Sequence, residues 1–366
     1  MKQIRYLLIS AAVMAFAACS SDVEEQGPRD FSGTKVVPEI TIVDQGEAQF
    51  TKAYDGTGST YFKSGDHVGF LLLDKNTRNL YSDTKEIGVL RYTFDGKYWG
   101  TYDSYSMTED YCDVYCFYPY DEGEDHSYDG LWPNSYRTLD TSTNIDYLWG
   151  EAKLPAGSSG VNGMTPQVHM RMNHALARVS FRLKRKMAYD PNSNIGKGSV
   201  TAFSAICKDK ATKAVQQGKT KYCFITGAVN GGITPISNPV PFNTLIGNSI
   251  PQAVGSTLGG RDEFMSVVPC KGSIDVNMTI DGQTYAVTVD QDKTGGEFKA
   301  GYHYLITLEY TGSEVTFTPG NGDGNGSTGS GSGMEIIPWA PGGNIGVKSI
   351  SVSYTHLRAH ETLMNL

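Results

Sequence analysis

The stretch SIDVNMTIDGQTYAVTV, residues 273–289, decides the fold. Every second residue is apolar on both sides of a central Asp-Gly pair: Ile274, Val276, Met278 and Ile280 before it, and Tyr285, Val287 and Val289 after it. This alternation has the two-residue period of a β-strand, and Asp-Gly between two such runs is typical of a hairpin turn. The stretch therefore predicts two antiparallel strands joined at Asp281–Gly282.

Similar short apolar runs recur along the whole chain. They include PEITIV (38–43), HVGFLLLD (67–74), DVYCFYPY (113–120) and YHYLITLEY (302–310). RYTFDGKYWGTY (91–102) predicts a further hairpin, with a type I′ turn at Asp95–Gly96. No long stretch has the period of an amphipathic helix. Many short strands between frequent turns indicate an all-β protein, and 366 residues suffice for two β-sandwiches.

The charge distribution disfavours nucleic acid as a partner. The formal net charge is -8, and an acidic surface repels phosphate backbones. The longest basic run, RLKRK at residues 182–186, follows a strand-like segment. We interpret it as a solvated strand end.

The first residues resemble an export signal. Lys2 and Arg5 precede an apolar stretch, Tyr6–Ala18, which is too short to cross a membrane but fits a signal peptide at residues 1–18. Cys19 follows two alanines, so it is either a residue beside an ordinary cleavage site or the lipidated cysteine of a bacterial lipobox. We favour lipidation, because SSDVEE after Cys19 resembles the acidic stretch that directs lipoproteins of Bacteroides-like bacteria to the outer face of the outer membrane.

Composition divides the rest of the chain. Residues 19–37 are polar and are predicted to form a lipidated tether. A turn-rich region around GSSGVNG (157–163) suggests two sandwich domains, residues 38–165 and 166–318, followed by a Gly/Ser linker at 319–333 and a terminal strand at 334–351. VSYTHLRAHET matches the translation of an adapter used in sequencing libraries, so residues 352–366 are predicted not to be native.

The cysteines do not predict a disulfide framework. Five remain after Cys19, and an odd number cannot all pair. Cys112 and Cys116 are four residues apart in a predicted strand. They should therefore share one face about 13 Å apart, which is too far for a disulfide. We expect both to be buried as small apolar side chains.

No catalytic or cofactor-binding motif is present in the sequence, and no enzymatic activity, cofactor or metal is predicted. The acidic loop at residues 121–129 could bind a cation through oxygen ligands, but a solvated loop is the preferred interpretation. Trp99, Trp132 and Trp149 could form a sugar-binding platform, although burial in the sandwiches is preferred.

Several segments, in order, resemble the fimbrillin family, the Mfa-like lipoproteins of Bacteroides-type bacteria. They are FTKAY (50–54), FKSGDHVGFLLLD (62–74), DVYCFYPY (113–120), MRMNHALARVSFRL (170–183) and IIPW (336–339). The resemblance implies two tandem transthyretin-like Greek-key β-sandwich domains. It also implies a role in fimbriae as stalk, anchor or tip, with other fimbrial subunits as partners at the cell surface.

The resemblance further implies a site for strand exchange. In polymerising members a protease cuts after Arg or Lys near the first strand, and a strand of the next subunit fills the groove that opens. Lys52 in FTKAY occupies the comparable position, and a cut there would also remove Cys19. The donor strand would come from the chain end, with Ile336, Ile337 and Trp339 as anchors. The alternative is a monomeric surface lipoprotein that binds a glycan or a host protein.

Overall fold

The computed structural model describes residues 30–43, 62–85, 87–123, 135–143, 145–154, 157–192, 196–290, 297–317 and 334–337. In these segments the regular structure consists of strands and one short 3-10 helix, Ser82–Thr84. The predicted all-β fold is confirmed.

The strands of the described segments are numbered in chain order. They are β1 (Val37–Val43), β2 (His67–Asp74), β3 (Leu90–Phe94), β4 (Trp99–Gly100), β5 (Cys112–Tyr118), β6 (Tyr136–Asp140), β7 (Leu148–Lys153), β8 (Gln167–His174), β9 (Ala177–Arg185), β10 (Val200–Asp209), β11 (Gly218–Cys223), β12 (Val229–Pro235), β13 (Val240–Pro241), β14 (Thr257–Val267), β15 (Gly272–Ile280), β16 (Gln283–Asp290), β17 (His303–Tyr310), β18 (Val315–Thr316) and β19 (Met334–Ile337).

The N-terminal half forms a seven-stranded sheet in the order β1-β8-β7-β5-β2-β3-β4. Its pairings are antiparallel except that of β1 with β8, which is parallel. The interior strand β2, between β5 and β3, is buried on both faces, which explains its unbroken apolar sequence. Phe70 and Leu72 enter one hydrophobic cluster, and Leu71 and Leu73 enter another.

A second, three-stranded sheet in the order β12-β11-β6 covers the other face of the seven-stranded sheet. Phe117 of β5 packs on Phe224, with ring centroids 4.7 Å apart. The guanidinium carbon of Arg137, on β6, lies 4.8 Å and 5.0 Å from these two ring centroids. This shared cluster joins residues from both halves of the chain into one packed interior.

The C-terminal half is a β-sandwich. A four-stranded sheet, β13-β10-β15-β16, faces a second sheet, β14-β9-β17-β18, and β19 also pairs with β17. Phe181, Phe203 and Phe242 pack in the interior with ring centroids 4.9–5.6 Å apart. The rings cross at steep angles, as aromatic side chains prefer.

The pairing of β8 and β9 suggests a different position for the predicted domain boundary. Strand β8 begins one residue after the proposed boundary at 165/166, yet it lies between β1 and β7 in the first sheet. Strand β9 belongs to the second sandwich. We therefore propose that the division falls between His174, the last residue of β8, and Ala177, the first residue of β9.

The buried cysteines agree with the prediction from their spacing. Cys112 and Cys116 both lie in the cluster on the inner face of the first sheet. Burial raises the pKa of the Cys112 thiol to about 12. Cys207 and Cys270 lie in the second sandwich with their sulfur atoms 3.9 Å apart, and neither is in a disulfide.

The two Asp-Gly hairpins differ in their turns. At β15–β16, Asp281 and Gly282 both have positive φ, 52° and 76°, as a two-residue type I′ turn requires. At β3–β4 the loop has four residues, because Phe94 pairs with Trp99. There Asp95 accepts hydrogen bonds from the amides of Lys97 and Tyr98, so the predicted type I′ turn is wrong.

Two opposite charges hold the loop before β10. The Asp281 carboxylate accepts hydrogen bonds from the amides of Gly196, Gly198 and Ser199 at 2.8–3.1 Å, and from the Tyr310 hydroxyl at 2.7 Å. Burial opposes its ionisation, but these hydrogen bonds together lower the pKa of Asp281.

Arg185 supports the same loop from the other side. Its guanidinium donates to the carbonyls of Gly196 and Lys197, and also to those of Ile250 and Pro251. Arg185 is 1% exposed, so the interpretation of the basic run as a solvated strand end is wrong at this residue. Four main-chain carbonyl oxygens accept hydrogen bonds from this buried guanidinium, which has no acidic residue next to it in the sequence.

We expect Asp281→Asn to lower the free energy of unfolding by about 1–3 kcal/mol at pH 7, since an amide NH2 replaces one of the two carboxylate oxygens that accept these hydrogen bonds. The folded pKa of Asp281 is lowered, so its contribution is full above the unfolded pKa and disappears as pH falls through the folded pKa. Urea unfolding at pH 7 and below pH 4 measures the difference. Asp95→Asn, in an exposed turn, is the control and should change stability much less. An equal loss in both variants would contradict this role for Asp281.

Candidate functional site

Strand β1 forms one edge of the seven-stranded sheet. Among the described strands it pairs with β8 alone, in parallel register from Val37 opposite Gln167 to Val43 opposite Asn173. An edge strand can leave without disrupting pairs between other strands, but its departure exposes a new row of unpaired main-chain groups on its neighbour.

The side chains at this edge close the interior of the first sheet. Val36 and Ile42 are 2% and 8% exposed, and Ile40 packs against the same cluster. These residues contact a cluster that includes Met170 and Met172 of β8. Burying side chains of this size stabilises a fold by roughly 1.5–3 kcal/mol each as an upper estimate. Loss of β1 would therefore open an apolar groove as well as a sheet edge.

The chain before β1 is held by the segment that follows β4. The Lys35 ammonium donates to the carbonyls of Thr101 and Asp103, at 3.2 Å and 2.8 Å. The Gly33 amide donates to the Ser106 hydroxyl at 3.0 Å. Gly33 and Lys35 lie in the last part of the segment predicted as a tether, residues 19–37, and they are hydrogen-bonded to the segment that follows β4.

A second edge lies in the C-terminal sandwich. Strand β19 pairs antiparallel with β17, from Met334 opposite Ile306 to Ile337 opposite His303. Met334 packs against the interior of that sandwich. Strand β18 pairs with the other end of β17, so both short strands extend the same side of it.

The predicted site residues are placed unequally. Ile336 and Ile337 lie in β19, in a different sheet from β1. Cys19, Lys52 and Trp339 lie outside the described residues, and their roles stay predictions.

Ser180 and His303 form a close pair between β9 and β17. The Ser180 hydroxyl and the His303 Nε2 atom are 2.6 Å apart, and both side chains are buried. Burial, with the charges of Arg178 and Arg261, lowers the pKa of His303 to about 3. A buried, neutral histidine beside a serine links two strands, and substrate cannot reach it from solvent.

The described residues contain no cluster of three or more His, Cys, Asp and Glu side chains suited to a metal ion. Asp121 and Glu122 of the acidic loop are described, whereas residues 124–129 are not. No helix in the described segments is both long enough and apolar enough to span a bilayer.

Trp99 and Trp149 are both half-buried, and each packs against an interior cluster. Trp99 packs on Phe62 and Phe94, each with centroids 5.0 Å away, as the core interpretation predicts. Trp149 lines an open cleft of about 380 Å³ together with Asn173, Thr226 and Gly301. Trp132 lies outside the described residues.

Comparison with known protein families identifies the family of this chain. A family model described as fimbrillin-like matches residues 51–339. The chain belongs to this fimbrillin-like family. The match begins after β1 and extends through β19, so it covers nearly all of both sandwiches.

Solved structures also resemble this fimbrillin-like chain. A proposed cell adhesion protein of Bacteroides uniformis ATCC 8492 is 17% identical, with a TM-score of 0.47, over 84% of this chain and 100% of that one. A fimbrilin of Porphyromonas gingivalis W83 is 11% identical, with a TM-score of 0.42, over 85% and 99% of the two chains. No curated protein matches the sequence.

Sequence reasoning missed the segment that secures the start of β1. Residues 101–107 have no strand period and lie between two predicted strands. Their partners are about 70 positions away in the chain. No short-range pattern could have indicated these contacts.

We expect Ile42→Ala to lower the free energy of unfolding by about 2–4 kcal/mol, because it removes a buried side chain and leaves a cavity. Val37→Ala is the matched control on the same strand, since Val37 is 54% exposed. Its effect should lie within about 0.5 kcal/mol. Urea unfolding of both variants tests this. Similar effects at the two positions would show that β1 does not seal the interior.

Proposed function

We propose that this fimbrillin-like protein is a fimbrial structural subunit or anchor, exported as a lipoprotein on Cys19 and assembled by β-strand exchange. Family membership supports a role in fimbriae or adhesion at the cell surface and a non-enzymatic, structural protein. The observation that carries the finer proposal is β1, an edge strand whose side chains seal the first sheet.

The position of Lys52 supports the proposal. It follows Val43, the last residue of β1, by nine positions, and Cys19 precedes the strand. A cut after Lys52 would therefore place both the lipid and β1 on one fragment and nearly all of the family-matched region on the other. An uncut chain would stay anchored, and a cut chain would be free to assemble.

A strand of a second copy would fill the vacated groove. The incoming main chain would pair with β8, and apolar side chains would replace those of Val36, Ile40 and Ile42. Residues 334–351 are the proposed donor, with Ile336, Ile337 and Trp339 as anchors. The pairing of β19 supports this choice, because Met334–Ile337 is extended and joins an existing sheet edge.

A monomeric adhesin is the second candidate. The cleft beside Trp149 favours it, because an aromatic ring with Asn173 and Thr226 nearby suits the stacking and hydrogen bonding of a sugar. In this alternative the uncut lipoprotein would act alone, and a Trp149→Ala variant would lose glycan binding.

We expect cells producing the full-length chain to incorporate labelled palmitate at Cys19. Cutting after Lys52 should transfer the whole label to the N-terminal fragment. The purified C-terminal fragment should then form a ladder of oligomers that survives mild denaturant, since strand insertion buries apolar surface and forms main-chain hydrogen bonds.

The controls are Cys19→Ala, which should carry no label, and Lys52→Gln, which should remain uncut and unassembled. Unchanged labelling of Cys19→Ala would contradict the lipid anchor. A cut chain that remains monomeric and binds a glycan array would contradict assembly and favour the adhesin.

A further inference from the structure

Two buried tyrosines bind the main-chain N–H and C=O of Val36, just before β1. The Val36 amide donates to the Tyr105 hydroxyl at 2.9 Å, and the Tyr92 hydroxyl donates to the Val36 carbonyl at 2.9 Å. The two hydroxyl oxygens are 2.6 Å apart. Tyr92 lies on β3, and Tyr105 lies in the segment after β4.

These three contacts form a closed ring. Tyr105 accepts from the Val36 amide and donates to Tyr92, which in turn donates to the Val36 carbonyl. Every polar group in the ring therefore has a partner, and each hydrogen bond polarises the next. Tyr92 and Tyr105 are 1% and 5% exposed, and burial is the largest cause of the raised pKa of both hydroxyls. Both therefore stay protonated, as donation requires.

We propose that Tyr92 and Tyr105 form a receptor for the main-chain N–H and C=O of one residue in any strand that occupies the groove, and that in assembly they bind the incoming strand of a second copy. This inference rests on the proposed strand exchange and deepens it. The hydrogen bonds from the two hydroxyls to the occupant go to main-chain atoms. The receptor therefore tolerates any residue with an N–H group and rejects proline, which lacks one.

The receptor accepts a strand of either direction. The N–H and C=O of one residue in a strand point to the same side, and reversal of the chain exchanges their order. Each tyrosine hydroxyl can donate or accept, because its hydrogen rotates about the C–O bond. The same ring then forms in the opposite sense. Strand β1 runs parallel to β8, whereas an antiparallel donor would be bound equally well.

The main-chain groups of the occupant are bound from two sides, by the tyrosine pair and by the chain next to β8. The Val37 amide donates to the Pro166 carbonyl next to β8, on the side opposite to the tyrosine pair. Val36 is thus held by the tyrosines, and the next residue, Val37, by the residue that precedes β8. With β1 absent, the two hydroxyls would face an open groove with a donor and an acceptor exposed.

The test uses the chain from Ser20 with a specific protease site at Lys52, cut after folding so that β1 remains bound until displaced. The probe is a labelled peptide of residues 34–43, TKVVPEITIV, and a second peptide carries N-methylvaline at position 36. Probe affinity and the assembly rate of cut chains are measured for the wild type, Tyr92→Phe, Tyr105→Phe and Tyr81→Phe.

Tyr81→Phe is the matched control. Tyr81 is 1% exposed, and its hydroxyl is hydrogen-bonded to Thr108 and to the Asp110 carbonyl rather than to Val36. We expect Tyr92→Phe and Tyr105→Phe each to weaken probe binding about tenfold and to slow assembly, since each leaves a buried polar group unpaired. Tyr81→Phe should bind as the wild type does.

N-methylation of the probe keeps the inference testable even if a variant fails to fold. It should weaken binding to the wild type about tenfold, because a methyl group replaces the donated hydrogen. It should weaken binding to Tyr105→Phe much less. The receptor would be overturned if both peptides bound the wild type equally. It would also be overturned if Tyr92→Phe and Tyr105→Phe bound the probe and assembled as Tyr81→Phe does. Either result would leave the proposed strand exchange intact. A cut wild-type chain that neither binds the probe nor assembles would overturn both.

Discussion

One strand meets two requirements of the first sheet at once. A sheet with an apolar face must cover that face, and its outer strand must find partners for its main-chain groups or leave them in water. Strand β1 satisfies β8 through the main chain and seals the interior through Ile40 and Ile42, together with Val36 just before it. The two functions therefore coincide in one short segment, residues 36–43, at one edge of the sheet. Any replacement must therefore supply an extended main chain and alternating apolar side chains together.

One hydrophobic cluster combines residues from both halves of the chain. The cluster around Phe117, Leu139, Tyr222 and Phe224 takes residues from both the first sheet and the later strands, and β6 pairs directly with β11. The C-terminal sandwich has a separate cluster of its own, which includes Phe181 and Phe203. Strands β11 and β12, although late in the sequence, therefore belong to the packing of the first sheet.

The sequence predicts the elements of this fold better than their assembly. Alternation identifies the β15–β16 hairpin and places Cys112 and Cys116 on one buried face, because strand period is a local property. It does not predict that Arg185 would be buried, since its carbonyl partners come from two distant loops. The predicted boundary near residue 166 also depends on pairing that a local pattern does not reveal. Strand β8 resembles its successor β9 in sequence, and only its pairing with β7 assigns it to the first sheet.

The candidate site was predictable in part. Ile40 and Ile42 are visible as an alternating pair, and the resemblance to fimbrillins draws attention to the first strand. The segment at residues 101–107 and the hydroxyls of Tyr92 and Tyr105 could not be assigned, because aromatic residues in turn-rich sequence have many possible partners. Their role depends on which strand lies beside them in three dimensions.

The central proposal is that β1 must leave before subunits can join, and a reversible lock tests it most directly. Glu39 and His169 are partners in the β1–β8 register, with a carboxylate oxygen and Nδ1 3.4 Å apart on the outer face. A Glu39→Cys/His169→Cys chain, begun at Ser20 and cut after Lys52, would hold the strand in place when oxidised. We predict monomers under oxidising conditions and oligomer ladders after reduction, with Glu39→Cys alone assembling under both. Equal assembly of the oxidised and reduced double variant would contradict the account.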